Sequence, residues 1–407
     1  MLINGITCYF LFIFLLKISS SNTKIKPLNV VNDFRRNIST YNGTFPIKVY
    51  IPKAMNVKEI WSYLDIFNNK TLMGLSYSNV TVNKTIGFNF RRGNNCTAPI
   101  GKSKKSGITH EYITLTEECE KQKGTVQQLT AKMLGMINTN NRPDRDNYIY
   151  VNVSNIKKGR KGLFNRYNWS QVPLYINVSY DYGSALHYSN NYMSKNNESV
   201  LKSKHQDFHS SNLDDYYNKM LGQQYELSFN DLKIINKLYS GDNSYYENTT
   251  CYNDGYIRPY YRNCLCPNGF TGWSCNETEP NTEGCKQNNT LEAKEEIQKL
   301  KMSGKENCTY LISSKPGRRI QIILASVKTK EKIPCYQKMG LEVKYVKDKG
   351  ATGLCLCGRY RNINIISEDN KVMIQYTGLE DDNKGYITYK VYPKYIPEES
   401  EESNFVH

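Results

Sequence analysis

The residue types that carry out chemistry are sparse in this chain and do not fall into a recognised catalytic spacing. His110 and Glu111 are adjacent, as at the start of the zinc-binding run H-E-x-x-H, but Thr114 stands where the second histidine would be. His205 and His209 are four residues apart with no third ligand near them in the sequence, so we interpret them as surface residues. No G-x-S-x-G run marks a nucleophilic serine. These residues by themselves predict neither a metal centre nor a hydrolytic triad.

The first residues of the chain have the composition of a secretory signal. An unbroken apolar run, 9–16, is followed by Ser19 and Ser21 at the small-residue spacing of a signal-peptidase site. The run is shorter than the roughly 20 residues that a membrane-spanning helix needs. We therefore predict a signal peptide over residues 1–21, a secreted, extracellular protein, and no membrane span.

The cysteines are crowded into the second half of the chain. Nine of the twelve lie at or after Cys251, a density that is typical of small disulfide-bonded modules in an oxidising compartment. The chain also contains fourteen N-x-S/T sequons, which are glycosylation candidates once a chain is secreted. The candidates that we single out are Asn37, Asn79, Asn168, Asn248 and Asn307.

The net charge of +16 comes mostly from scattered lysines. A nucleic-acid-binding protein gathers its basic residues with aromatics on one face, and a secreted protein rarely meets nucleic acid, so we expect no nucleic-acid partner. The densest cluster leaves two interpretations open, a solvated surface or a site for anionic glycans. It consists of Lys157, Lys158, Arg160 and Lys161.

The periodicity of the apolar residues predicts a mixed α and β first half and an all-β second half. Apolar residues recur at helical spacing after Asn56, which is placed to cap that helix, and Tyr112–Thr116 alternates as a strand does. A buried helix is expected over 126–137, breaking near Gly135. Short alternating strands after Cys285 predict a β-sandwich.

Three collinear runs of the first half resemble the astacin family of zinc metalloendopeptidases. Gly124–Val126, Gly135 and Arg142–Tyr148 resemble the region around the family's zinc-binding helix. Tyr182–Tyr188 resembles its Met-turn, and Leu227–Tyr239 resembles its closing helix. The resemblance implies an α+β, metzincin-type domain over about 190 residues, followed by a small disulfide-rich module and an all-β sandwich.

The same resemblance implies that the zinc motif is degenerate. Active astacins carry H-E-x-x-H-x-x-G-x-x-H-E, in which three histidines hold zinc and the first glutamate is the general base. Here the three ligand positions hold Gln128, Lys132 and Asn138. Leu129 occupies the general-base position, whereas Tyr188 keeps the family's tyrosine ligand. We therefore predict no catalytic residue, no metal ligand set and no cofactor.

The regions that follow resemble the modules found behind many astacin domains. Residues 251–275 resemble an EGF-like module that has four of the usual six cysteines, and 285–394 resemble a CUB domain. The implied disulfides are Cys96–Cys119, Cys251–Cys264, Cys266–Cys275, Cys285–Cys308 and Cys335–Cys357, which leave Cys355 over. The expected organisation is a signal peptide (1–21), a propeptide-like segment (22–36) ending at Arg35–Arg36, the astacin-like domain (37–240), a linker (241–250), the two modules, and an acidic tail (395–407).

These features favour a secreted, catalytically inactive astacin-like protein that binds extracellular proteins or peptides. The expected peptide-binding strand has Ile113 and Leu115 facing the core, because an edge strand offers unpaired backbone groups to an extended peptide. Its outward residues are Tyr112, Thr114 and Thr116. Two alternatives stay open: an active zinc metalloendopeptidase with an unorthodox metal site, and a structural or adhesive protein that acts through its CUB domain.

Overall fold

The computed structural model describes residue 41 and residues 46–83, 86–102, 110–204, 212–239, 249–258, 263–285 and 288–393. Several predicted features lie outside these residues: the signal peptide, the segment 22–36, most of the linker, the acidic tail, Asn37, Asn248, His205 and His209. Within the described residues, no helix combines the length and the apolar character needed to cross a membrane.

The first half of the chain is built on a parallel sheet with the strand order β2-β1-β3-β4. Its strands are β1 (Ile47–Tyr50), β2 (Leu75–Ser78), β3 (Gly87–Arg92) and β4 (Tyr112–Leu115). The helices of this half are α1 (Val57–Lys70), α2 (Glu117–Glu120), α3 (Lys123–Met133), α4 (Asp214–Asn218) and α5 (Phe229–Tyr239). One hydrophobic cluster joins the sheet to α1, α3 and α5.

Local sequence explains where α1 begins. The side chain of Asn56 accepts a hydrogen bond from the backbone N–H of Glu59 at 3.2 Å, and the carboxylate of Glu59 accepts one from the Asn56 amide at 2.7 Å. This reciprocal pairing satisfies donors that a helix N-terminus would otherwise leave open. Ile60, Leu64 and Phe67 are buried, so the helix presents one apolar face to the core.

Helix α3 is placed by two glycines. A Cβ on Gly124 would lie 2.2 Å from the backbone of Gln224, so only glycine allows the helix to approach that segment. Gly135 has φ +106°, a conformation that ordinary residues rarely adopt, and the chain turns there after the helix ends at Met133.

Most of the chain between α3 and α5 has little regular structure. It contains the short antiparallel pair β5 (Ile149–Val151) and β6 (Leu201–Ser203). It also contains five 3₁₀ turns: Thr139–Asn141, Arg145–Asn147, Val153–Asn155, Lys161–Phe164 and Pro173–Tyr175.

The second half of the chain holds a small disulfide-rich module and a sandwich of two sheets. The module has the pairs β7 (Tyr256–Ile257) with β8 (Cys264–Leu265), and β9 (Phe270–Thr271) with β10 (Glu277–Thr278). One sheet of the sandwich, in the order β11-β13-β18-β15-β16, contains β11 (Thr290–Glu292), β13 (Asn307–Ser313), β18 (Lys371–Thr377), β15 (Gly340–Lys344) and β16 (Leu354–Leu356). The other, in the order β12-β19-β14-β17, contains β12 (Gln298–Ser303), β19 (Lys384–Val391), β14 (Ile320–Lys328) and β17 (Arg359–Ile366).

The cysteines pair as the family resemblance implied. The disulfides are Cys96–Cys119, Cys251–Cys264, Cys266–Cys275, Cys285–Cys308 and Cys335–Cys357. Cys355 is free and buried, with its backbone N–H 3.3 Å from the sulfur of Met220. The expected mixture of helices, strands and disulfides is therefore confirmed.

The sandwich packs directly against the first half of the chain. A single hydrophobic cluster contains residues of both, including Tyr217 and Tyr345, whose hydroxyls are 2.6 Å apart. The Asp348 carboxylate accepts the backbone N–H of Ser179 at 3.0 Å, and the N–H of Cys335 donates to the Lys219 carbonyl at 2.8 Å. Periodicity did not predict this contact, because it depends on residues more than one hundred positions apart.

Candidate functional site

The centre of the candidate site is the face of α3 that carries Gln128 and Lys132. These residues are four positions apart, so they lie on the same side of the helix, and both are partly exposed. Leu129 between them is only 4% exposed and belongs to the hydrophobic core. A leucine side chain neither accepts nor donates a proton, so the general-base position cannot activate water.

Asn138 and Tyr188, which resemble two ligand positions of the family, meet in space. The Asn138 amide donates to the Tyr188 hydroxyl at 2.8 Å, across fifty residues of sequence. The same amide lies 3.3 Å from the side-chain oxygen of Asn141. The side-chain oxygen of Asn138 is buried and has no hydrogen-bond partner among the described residues. The geometry that brings these two positions together is therefore retained, with a carboxamide in place of an imidazole.

The turn that resembles the Met-turn is held by Asp231 of α5. The Asp231 carboxylate accepts hydrogen bonds from the Ser184 hydroxyl at 2.7 Å and from the Ala185 backbone N–H at 3.1 Å. Burial, followed by the charge of Asp181, raises the pKa of Asp231 to about 7. Thr139 binds the same turn, since its hydroxyl donates to Ser184 at 2.8 Å and its N–H donates to the Leu186 carbonyl at 3.1 Å. These contacts stabilise the floor of the site without supplying a reactive group.

His187 follows this turn and is fully enclosed. Its Nε2 lies 2.8 Å from the Tyr180 hydroxyl and its Nδ1 lies 2.8 Å from the Tyr188 carbonyl oxygen. Burial lowers the pKa of His187 to about 4, so the imidazole is neutral at physiological pH. With both ring nitrogens engaged, His187 has a structural role.

We expect His187 to make the fold sensitive to acid. The unfolded chain takes up a proton at this side chain near pH 6.5, whereas the folded chain does so only near pH 4. Because the unfolded state binds more protons between these values, stability falls as the pH drops from 6.5 towards 4. The pKa difference corresponds to about 3 kcal/mol. Urea unfolding at a series of pH values should show the free-energy gap between the unaltered chain and His187→Gln shrinking by about that amount; parallel curves would contradict this role.

Lys132 is the cationic group of the site. Burial lowers the pKa of its ammonium, and no charge of a described residue contributes to the shift. Its carbonyl accepts the backbone N–H of Gly101 at 2.8 Å, which ties the segment after Cys96 to the C-terminal end of α3. A partly enclosed ammonium with no counter-ion among the described side chains favours an anionic group of a ligand.

The predicted peptide-binding strand requires a correction. Ile113 and Leu115 are buried as expected, but the backbone N–H and C=O of Thr114 both pair with Thr97 at 2.9 Å. Thr116 lies beyond the end of β4 and caps α2 by accepting the Cys119 N–H. The Cys96–Cys119 disulfide holds the covering segment in place. The outward edge at Thr114 is therefore occupied, and the exposed edge belongs to residues 96–98.

The other predicted site residues are scattered over the surface. Asn79, Asn168 and Asn307 are exposed, which keeps them as glycosylation candidates. The cluster of Lys157, Lys158, Arg160 and Lys161 is also exposed, around the 3₁₀ turn that begins at Lys161. Sequence reasoning missed Asp181 and Asp231, because two carboxylates fifty positions apart give no local signal that they share one buried site.

Several curated proteins are similar to this chain. Zinc metalloproteinase nas-30 of Caenorhabditis elegans is 30% identical over 289 residues, which are 70% of this chain and 36% of that protein. Zinc metalloproteinase nas-34 of the same organism is 30% identical over 292 residues, 71% of this chain and 45% of that protein. Blastula protease 10 of Paracentrotus lividus is 28% identical over 294 residues, 71% of this chain and 46% of that protein. The chain thus spans less than half the length of these relatives.

Solved structures give weaker likenesses. High choriolytic enzyme 1, a hatching-enzyme zinc-protease of the medaka Oryzias latipes, is 22% identical with a TM-score of 0.40, covering 49% of this chain and 91% of that chain. The CUB1-EGF-CUB2 domains of rat MASP-1 are 16% identical with a TM-score of 0.22, covering 35% of this chain and 53% of that chain. These TM-scores are too low to establish a shared fold, and the EGF-like and CUB assignments stay predictions.

The relatives correct one expectation. We expected no cofactor, but the relatives nas-30 and nas-34 are zinc metalloproteinases by name, so the comparisons point to zinc and that expectation is wrong at the level of the family. The side chains at the ligand positions do not fit the metal, because two are carboxamides and the third is an ammonium. Within the described ranges, no three His, Cys, Asp or Glu residues are grouped to hold a metal ion. No chemical step is therefore assigned to a metal here.

A family model gives the most specific match. The model described as Astacin, a peptidase family, matches residues 45–240, which include the parallel sheet, α3, the turn at Leu186 and α5. This range contains the collinear runs on which the resemblance was based, and it begins eight residues after the predicted boundary at residue 37. Over residues 45–240, this chain is a member of the astacin family of peptidases.

Proposed function

We propose that this chain is a secreted, catalytically inactive member of the astacin family that binds extended segments of extracellular proteins. The observation that carries the proposal is the contact between Asn138 and Tyr188. The chain still brings these positions together, yet the groups that meet are a carboxamide and a phenol. Because the chain spans less than half of its relatives, their proteolytic activity is not transferred to it.

The inactivity is argued from the side chains at the cleft. Peptide hydrolysis requires a group that takes a proton from water, and Leu129 has none. A metal-activated water requires several donors on one ion, and Gln128, Lys132 and Asn138 do not provide them. An ammonium at position 132 also repels a cation from the place where the family's metal would lie.

The binding activity is argued from the edge that residues 96–98 expose. Thr97 pairs with Thr114, and successive residues of a strand direct their backbone groups to opposite sides, so those of Ala98 point away from β4. The segment then runs to Gly101, which is bonded to Lys132. An extended peptide that adds to this edge would therefore pass near the ammonium of Lys132, which favours acidic segments.

Calorimetry with an acidic, extended hexapeptide tests this mode of binding. We expect a dissociation constant on the order of 10 μM or weaker, because the interface is small and the peptide must be ordered. Lys132→Gln should weaken binding about tenfold, corresponding to the loss of about 1.4 kcal/mol of charge-assisted contact. Ala98→Pro removes the backbone donor and should abolish binding.

A matched control can be made on the ligand, where it does not affect folding of the protein. The same hexapeptide with alternate backbone nitrogens methylated keeps its charge but cannot pair with a strand edge. Binding of both peptides with equal affinity would show that charge alone is recognised and would contradict strand addition. Absence of binding by the unmodified peptide would remove the peptide-binding proposal altogether.

A further inference from the structure

The outer face of the sheet formed by β12, β19, β14 and β17 is strongly cationic. Along each strand the residues alternate between a buried inner side and a solvent-facing outer side. Leu300, Ile322 and Ile387 are among the buried inner residues. The outer side carries seven cations: Lys299, Lys301, Lys328, Arg359, Arg361, Lys384 and Lys390. We call this surface the cationic sheet face.

The strand register shows that these cations form one continuous array. Lys328 of β14 lies opposite both Arg359 of β17 and Lys384 of β19. In the next row, Tyr386 of β19 lies opposite Lys301 of β12, whose ammonium is 5.5 Å from the centre of the tyrosine ring. Neighbouring strands are about 4.8 Å apart, and outward residues along a strand are separated by about 7 Å. The positive charges are therefore spaced a few ångströms apart over a flat surface.

The segregation of charge distinguishes this face from an ordinary lysine-rich surface. None of the four strands contains an aspartate or a glutamate. The acidic residues of the sandwich lie in the opposite sheet, as Glu292 and Glu342 do, or in loops. Asp382, in the loop before β19, forms an ion pair with Lys328 at one end of the array. Scattered lysines would be interleaved with acidic residues, as they are elsewhere in this chain.

A shallow hollow lies at one end of the array. It has a volume of about 550 Å³, and its polar lining consists of Ser326, Lys328, Arg359, Arg361 and Lys384. Arg359 and Arg361 are exposed and lie two residues apart on β17, the edge strand of this sheet. Guanidinium groups present several donors in a fixed plane, which suits the oxygens of a sulfate or a carboxylate.

We infer that the cationic sheet face binds a sulfated polysaccharide. The face of a sheet offers no free backbone groups, so a ligand must be recognised by side-chain charge along its length. The surface has few apolar side chains that could form the centre of a protein interface. A linear polymer with a sulfate on each repeating unit supplies evenly spaced anions that match this array, and it is found where a secreted protein would meet it. This inference does not depend on peptide binding in the cleft.

Binding of the purified full chain to immobilised heparin tests the inference. The variant Lys301→Gln/Arg359→Gln/Arg361→Gln removes three charges from the face. The matched control Lys157→Gln/Lys158→Gln/Arg160→Gln removes three charges from the exposed cluster near residue 160. At a salt concentration near 0.15 M, we expect the first variant to bind at least tenfold more weakly and the control to lose less than twofold. The first variant should also show a shallower dependence of affinity on salt.

Two further measurements protect this test from a folding artefact. Lys384→Gln/Lys390→Gln lowers the charge of the same face through different residues and should also weaken binding. Arg359→Lys/Arg361→Lys keeps the charge and should retain most of the affinity. Both variants should unfold at the temperature of the unaltered chain, because the altered side chains lie on the surface.

Several results would overturn the inference. These are equal weakening by the face variant and the control, or no binding of heparin by the unaltered chain. Equal affinity for desulfated heparin or for polyglutamate would also overturn it, because the surface would then recognise any anionic polymer or an acidic protein. Retention of the sulfated ligand with loss of both other polymers supports a sulfated-polysaccharide site.

Discussion

Replacing Arg142 with methionine should lower the free energy of unfolding by about 3–5 kcal/mol, the range typical for breaking a buried ion pair. Arg142 is only 3% exposed. Its Nε and one terminal nitrogen donate to the two carboxylate oxygens of Asp144 at 2.9 and 2.8 Å. The guanidinium also donates to the carbonyls of Val178 at 2.8 Å and Ser179 at 3.2 Å.

The size of this effect follows from what the substitution leaves behind. Methionine fills much of the volume of Arg142 but cannot donate, so the Asp144 carboxylate and two enclosed carbonyls lose their partners. The guanidinium also lies 5.6 Å from the ring centre of Tyr175 and 5.5 Å from that of Tyr180. The contacts join the loop after α3 to the segment before the turn at Leu186, so the loss should extend to the floor of the site.

Urea unfolding of Arg142→Met measures this loss, with Arg166→Met as the matched control. Arg166 pairs with Asp146 at 2.9 Å, but both side chains are about half exposed. An exposed pair contributes about 0–1 kcal/mol, so the control should change stability little. A loss below about 1 kcal/mol at Arg142, or an equal loss in the two variants, would show that the buried pair does not stabilise the fold.

Local patterns predicted the elements that depend on neighbouring residues. Asn56 and Glu59 indicated the start of α1, and Gly135 indicated the end of α3, because caps and positive-φ positions are set within a few residues. Ile113 and Leu115 were placed on the buried side of β4 from alternation alone. Spacing of the cysteines, compared with the family, gave the disulfide pairs.

Contacts between distant segments could not be predicted in this way. Thr97 covers the edge of β4 because a disulfide returns the chain there, and nothing in the alternation of β4 records that pairing. Arg142 was recognised as part of a family run, but its carbonyl partners lie 36 and 37 residues further on. The cationic sheet face likewise appears only when the order of β12, β19, β14 and β17 is known.

The largest change in activity is expected from restoring the family motif. The variant Gln128→His/Leu129→Glu/Lys132→His/Asn138→His, supplied with zinc, should cleave peptides at least about 10²-fold faster than the unaltered chain, since a general base alone contributes about 10²–10⁴. Three imidazoles and the general base act as a set, so each single change should give no measurable gain. Leu129→Glu alone should also destabilise the fold, because it places a carboxylate in an apolar core.

The rebuilt variant is informative because its ligand positions are already brought together in the unaltered chain. Asn138 contacts Tyr188, and Gln128 and Lys132 share one face of α3. Circular dichroism should first show that the variant is folded. A folded variant that holds zinc but remains inactive would indicate that other changes, such as Leu186 at the turn, also prevent catalysis.

The most direct test is a hydrolysis assay of the unaltered, purified chain. Quenched fluorescent peptides of varied sequence would be incubated with it in excess zinc, with the rebuilt variant as the comparison and a chelator in parallel samples. If Leu129 and the carboxamide and ammonium side chains beside it abolish catalysis, the rate will equal that of the protein-free blank for every peptide. Cleavage above the blank that the chelator removes would show that the chain is an active metalloendopeptidase and would contradict its assignment as an inactive member of the family.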